Sequence, residues 1–167
     1  MNKQEAVIKY LNDLNISFEL YKHPPVPTVE EAQPYWKEID SVHCKNLFFR
    51  NHKGNRHYLV ILDHRRQLNI RDLEQRLKQG KISFASPERM ERYLGLTAGS
   101  VSAFGIINDQ ENQVHLFIDE ALQSAERISF HPNENNATLV ITFASFLRFL
   151  ESSGNSYEFI ELYDARL

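Results

Sequence analysis

Apolar residues open the chain at helical spacing. Val7, Ile8, Leu11 and Leu14 form one stripe within residues 3–14, which predicts an amphipathic helix. The period then shortens to two, and Ser17-Phe18-Glu19-Leu20-Tyr21 alternates as a short strand. His23-Pro24-Pro25-Val26-Pro27 must be an extended connection, because three prolines remove donors and restrict their neighbours. Thr28-Val29-Glu30-Glu31 has the form of a capping box and starts a second helix, with Pro34 in its early turns or cutting it short. Leu47–Arg50 and His57–Leu62 read as two strands around Asn51-His52-Lys53-Gly54-Asn55, a hairpin signal. Ile70, Leu73 and Leu77 mark a basic-faced helix ending at Gly80, and Ser86-Pro87-Glu88 starts a shorter one ending at Gly95.

The second half is richer in strands. Gly99–Gly105 is a loop of small residues. Val114–Ile118, Arg127–Phe130 and Thr138–Thr142 read as strands, with a turn over Pro132–Asn136. Phe146, Leu147, Phe149 and Leu150 belong to a helix, and Tyr157–Leu162 is a candidate final strand. Hairpins interspersed with helices argue against a regular parallel βαβ array, so the expected class is α+β with a mixed, largely antiparallel sheet flanked by helices. No linker, repeat or boundary divides the chain, and one domain over residues 1–167 is expected.

Composition excludes several classes. The chain is 42% hydrophobic and 25% charged, which is ordinary globular usage. No apolar stretch approaches the roughly 18 residues of a membrane span, and the N-terminus lacks the apolar core of a signal peptide. Cys44 is a single cysteine without a disulfide or Cys-x-x-Cys partner, which favours the cytoplasm. The net charge of −3 hides an asymmetry. Between His43 and Lys81 ten Lys/Arg face three acids, a net +7 that leaves −10 elsewhere. Such a basic middle is either a phosphate-binding face or a solvated surface whose charges scatter on folding.

Familiar catalytic patterns are missing: no P-loop, Gly-x-Gly-x-x-Gly, His-Glu-x-x-His or Gly-x-Ser-x-Gly occurs. The histidines at 52, 57 and 64 lack metal-site spacing, and no metal is expected. Three segments stand out instead. Lys45-Asn46 lies at the mouth of an apolar strand. Gly99-Ser100-Val101-Ser102 leaves backbone N–H groups open to a carbonyl or phosphate oxygen. His131-Pro132 sits where a strand turns. Each alone is an ordinary feature: an edge charge, a small-residue loop, a turn.

Together, Lys45-Asn46-Leu47-Phe48, the stretch from Leu94-Gly95 through Gly99-Ser100-Val101-Ser102-Ala103-Phe104-Gly105 to Asp109, and Phe130-His131-Pro132 with Asn136-Ala137-Thr138 resemble the YbaK/ProX family of prolyl-tRNA editing domains. Within it the chain is most similar to the free-standing alanyl-tRNA(Pro) deacylases (ProXp-ala or PrdX-like). The resemblance implies a curved sheet of the YbaK editing fold and hydrolysis of the ester of mischarged Ala-tRNA(Pro). Deacylation of Cys-tRNA(Pro) or another small aminoacyl-tRNA, or a non-catalytic aminoacyl-tRNA sensor, are the alternatives. It further implies that Lys45 stabilises the oxyanion or holds the terminal nucleotide and that Asn46 orients the substrate. Backbone N–H groups from Gly99 to Ser102 would grip the aminoacyl moiety. His131, with Pro132, would position the substrate or act as base. The tRNA's own 2′-hydroxyl assists, with no metal or organic cofactor. Arg65, Arg66 and Arg71 are candidates for the acceptor stem. Partners would be tRNA(Pro) mischarged with alanine and prolyl-tRNA synthetase, with no membrane, and the protein a monomer or weak homodimer. One residue departs from the family's loop: Ala103 stands where proline is common, which frees φ and restores an N–H.

Overall fold

The computed structural model describes residues 1–164; the last three residues of the expected domain lie outside them. The opening helix α1 (Lys3–Asp13) is capped by Asn2, which forms a reciprocal capping box with Glu5. Strand β1 (Glu19–Lys22) follows, and α2 (Val29–Trp36) starts where Thr28 Oγ1 accepts from the Glu31 N–H. Pro34 lies inside α2 without ending it.

Strand β2 (Val42–Asn51) begins five residues before the expected Leu47 and pairs antiparallel with β3 (His57–Asp63) across the predicted hairpin. Helix α3 (Ile70–Leu77) stops short of Gly80, because Lys78 already takes the left-handed conformation at φ 56°. Strand β4 (Ile82–Phe84) was not expected, and α4 (Pro87–Leu94) is capped as predicted by Ser86 and Gly95. The small-residue loop ends in a 3₁₀ turn over Ala103–Asn108. Strand β5 (Val114–Asp119), a second 3₁₀ turn (Glu120–Ser124), β6 (Arg127–Phe130), β7 (Ala137–Thr142), α5 (Phe143–Ser153) and β8 (Tyr157–Ile160) complete the described residues.

The strands form one curved mixed sheet in the order β1-β7-β6-β2-β3-β5-β8, with β4 attached to β2. Four of its pairings are antiparallel. The β2–β6, β3–β5 and β5–β8 pairings are parallel, so the architecture is α+β and mixed as the pattern implied. Helices cover both faces of its centre. Leu59 and Ile61 join one core with α1, α4 and α5, whereas Tyr58, Val60 and Leu62 join another with Leu73 and Leu77 of α3. That two-sided cover is why β3 is buried at every position and reads as a continuous apolar run.

One interruption in this sheet positions the site. On the edge of β2 away from β3, β6 pairs with Val42 and His43, and β4 pairs with Phe49 to Asn51. Between them, residues 44 to 47 have no strand partner on that side among the described residues. Phe48 O, on the same edge, accepts from Ala85 N–H. By strand alternation the backbone groups of Asn46 also face this gap.

Candidate functional site

A cavity of ≈ 280 Å³ opens at the gap, and the segments singled out in the sequence converge on it. Its wall includes Lys45, Asn46, Gly99, Val101 and His131. The remainder of the lining is largely apolar: Pro27, Val29 and Trp36 from the second connection and α2, Leu47 and Phe48 from β2, and Met90 from α4. An apolar cleft with a few convergent polar groups is the usual make-up of a small-molecule site.

Lys45 is directly opposite Leu62 of β3 and is half-buried. Burial pushes its ammonium below the ordinary lysine range, with the Glu30 and Asp63 carboxylates opposing that shift. No carboxylate forms a salt bridge with it among the described residues, so its charge is left for an incoming group. Asn46 turns to the other face of the strand, where its Oδ1 accepts from the Ala103 N–H at 3.0 Å. That N–H is the one a proline at position 103 would lack.

Gly99 has φ 86°, and a Cβ there would stand 3.1 Å from Pro27 Cβ. The left-handed φ favours glycine, and the close approach leaves little room for a side chain where the loop meets the proline-rich connection. The rest of the loop divides. Val101 reaches the cavity. Ser100 does not, and its N–H is spent on Thr97 O at 3.1 Å. Ser102 is fully buried, and its Oγ accepts from the Phe104 N–H to start the 3₁₀ turn. Pro132 is buried away from the cavity wall.

His131 lies beside Ala137 O at 3.1 Å, so Nδ1 is the donor and Nε2 the basic nitrogen. Burial holds the ring below the ordinary histidine range, the Ala137 carbonyl opposes this, and His23 nearby adds to it. The ring is therefore neutral at physiological pH. His23 belongs to a chain of hydrogen bonds that ties Trp36, in the cavity wall, to β7. Trp36 Nε1–H donates to Thr138 Oγ1 at 3.1 Å, the hydroxyl donates to His23 Nε2 at 2.9 Å, and His23 Nδ1–H donates to Pro24 O.

The structure carries the arginine candidates elsewhere. Arg65 pairs with Asp63 at 2.6 Å and borders a more polar cavity with His43 and His64. Arg66 lies 4.4 Å from the centre of the Tyr163 ring, and Arg71 is exposed on α3. Trp36, Pro27 and Met90 were not foreseen, since in sequence they are apolar residues like any core residue; the proline run was the available hint. Cys44 also lines the cavity, and burial pushes its thiol well up, which suppresses the thiolate a nucleophile needs. Among the described residues no three His, Cys, Asp or Glu side chains cluster as metal ligands, and no helix is long and apolar enough to cross a membrane.

Residues 23–149 match the family described as the aminoacyl-tRNA editing domain. The chain is 37% identical over 162 residues to the prolyl-tRNA editing protein ProX of Acetoanaerobium sticklandii, covering 97% of this chain and 99% of the relative. It is 32% identical over 155 residues to the prolyl-tRNA synthetase associated domain-containing protein 1 of Xenopus laevis, covering 91% and 92%. A crystal structure described as a candidate trans-editing enzyme for prolyl tRNA synthetase superposes with a TM-score of 0.70 at 19% identity, over 96% of this chain and 98% of that one. At that identity the superposition establishes the fold.

Proposed function

The chain belongs to the family of aminoacyl-tRNA editing domains, and from that membership we propose that it hydrolyses the ester of alanine wrongly attached to tRNA(Pro). It is an aminoacyl-tRNA hydrolase, and the proposal concerns its substrate and its groups. The reading has it act in trans beside prolyl-tRNA synthetase in the cytoplasm, as one editing domain and as a monomer or weak homodimer.

The observation that carries the reading is a partly desolvated lysine at the mouth of a small apolar cavity on an interrupted strand edge. An aminoacyl ester is activated, so positioning and charge stabilisation suffice for hydrolysis. Water adds to the ester carbonyl, and Lys45 stabilises the oxyanion of the tetrahedral intermediate. The C–O bond to the ribose then breaks and gives the amino acid and the free terminal hydroxyl. The proton lost by water passes to the leaving oxygen, either through the neighbouring 2′-hydroxyl or through His131 Nε2. Val101, Val29 and Met90 supply apolar wall for a methyl side chain. A separate small pocket is needed because a synthetase gains only about 1–3 kcal/mol per methylene in excluding a smaller amino acid. Asn46 acts through the loop it holds.

The test is ester loss from separately charged Ala-, Cys-, Ser- and Pro-tRNA(Pro), beside Lys45→Ala. Rapid loss of alanine with proline spared, and a fall of 10²-fold or more in the variant, is the expected result. Preference for cysteine or serine overturns the alanine assignment. Binding of charged tRNA with every ester intact overturns the hydrolase in favour of a sensor.

A further inference from the structure

The far end of β2 carries an imbalance of charge that folding does not require. A Cβ placed on Gly54, in the β2–β3 turn, would stand 2.8 Å from Arg89 Nη2 and 3.3 Å from Arg50 Nη1. Two guanidinium groups, one from β2 and one from α4, thus converge over a residue without a side chain. Arg92 adds a third cation from the same helix, close enough to act on His57. None of the three forms a salt bridge with a carboxylate among the described residues. Arg89 Nη1 donates to His57 Nε2 at 2.9 Å and to Gly54 O, while Arg50 reaches only the Asn51 and His52 carbonyls. A buried neutral histidine is thus used to aim an arginine. On the other side of the turn, Lys53, Arg56 and Lys81 border a groove whose lining has no acid. Glu88 and Glu91 are the acidic neighbours on α4, and both point their charge into solvent as exposed residues.

We propose that this hairpin end is the docking surface for the phosphate backbone of the nucleic-acid duplex adjoining the ester-bearing 3′ end. The proposal rests on the reading of the cavity as an aminoacyl-tRNA site. Like charges held together without a counterion are relieved by phosphate oxygens, and the fork of an arginine suits them. The distance also fits. Arg50 is five residues along a strand from Lys45, roughly 17 Å at the usual rise, which leaves room for a short single strand between duplex and cavity. Phe84 stands in that interval. It lines the cavity, is 58% exposed and stacks on Phe49 with ring centres 4.6 Å apart. An exposed ring beside a basic track is the usual seat of an unpaired base.

The experiment measures binding of uncharged tRNA and of a short RNA hairpin to the full chain by fluorescence anisotropy, across a range of salt. Arg50→Glu/Arg89→Glu should weaken both at least tenfold at low salt and reduce the dependence of log affinity on log salt by about two contacts. Lys53→Glu/Lys81→Glu covers the case in which loss of the Arg89–His57 bond harms folding, and should act in the same direction. Lys3→Glu/Lys9→Glu on α1 makes the same change of charge away from the hairpin and should leave binding as in the wild type. Unchanged affinity in both hairpin variants, or equal loss in the α1 variant, overturns the proposal. Wild-type ester turnover is read separately, so failure of the hydrolase reading is distinguishable from failure of the docking surface.

Discussion

Asn46 spends its side-chain oxygen on the chain's own backbone. The Ala103 N–H it satisfies belongs to a fully buried residue, and a buried donor left without a partner costs about 1–3 kcal/mol. Asn46→Ala should therefore lower stability by about that amount, measured by urea unfolding, and raise KM for the aminoacyl-tRNA. Asn46→Asp keeps an acceptor and should recover most of the stability. Ala103 thus gains a structural use from its departure from proline: it ties the loop that bears Gly99 and Val101 to the strand that bears Lys45. At this scale the sequence was informative where chemistry is unusual. Lys45, Asn46, Gly99, Val101 and His131 all meet at one cavity. Ser100, Ser102 and Pro132 share the same motifs but serve the turn and the core, because a motif does not record which way each side chain leaves the backbone.

Helix α2 illustrates how an element is held by few contacts. It has eight residues with a proline inside, and its inner face is Ala32 and Trp36 packed with Val26 and Val140. So short a helix has little stability of its own. The Trp36–Thr138–His23 chain supplies a fixed point for it on β7. Thr138→Val keeps the shape and removes the hydroxyl, leaving the buried Trp36 N–H without an acceptor. Faster amide exchange confined to residues 29–36, with stability lowered by about 1–3 kcal/mol, is the expected outcome; unchanged exchange there would show that packing alone holds the helix.

Elements were legible in proportion to their periodicity. The capped helices and the β2–β3 hairpin were evident. The first half of β2 was not, because Asn46 after Lys45 interrupts the alternation of Val42-His43-Cys44-Lys45 and leaves it only four residues long. Nor was β4, whose three residues carry too little pattern. Parallel pairing of β3 with β5 joins residues more than fifty positions apart, and local pattern is silent about such partners.

Across the molecule, charge and protonation follow from which groups were buried together. The +7 middle segment divides on folding. Arg65 is neutralised by Asp63, and Arg76 by Asp72 and Asp164, whereas the hairpin end keeps its charge. His43 and His57 are both 6% exposed or less, and burial pushes each down to about 4, aided by His64 for the first and by the arginines for the second. The unfolded histidine titrates near 6.5. Between that value and about 4 the unfolded chain binds protons that the fold refuses, so stability falls as pH drops through this window. The loss between pH 7 and pH 5 should be on the order of 1–2 kcal/mol for each ring, measured by urea unfolding. His43→Asn should flatten that dependence.

The interruption in β2 has one more consequence. A strand edge without a partner is where a foreign chain adds itself and aggregation begins. This molecule keeps such an edge open and shelters it beneath α2, the proline-rich connection and the Gly99 loop. Damage to that cover would do more than slow turnover. It would expose a template for intermolecular pairing, and variants of the cover should be recognised by insolubility as much as by lost activity.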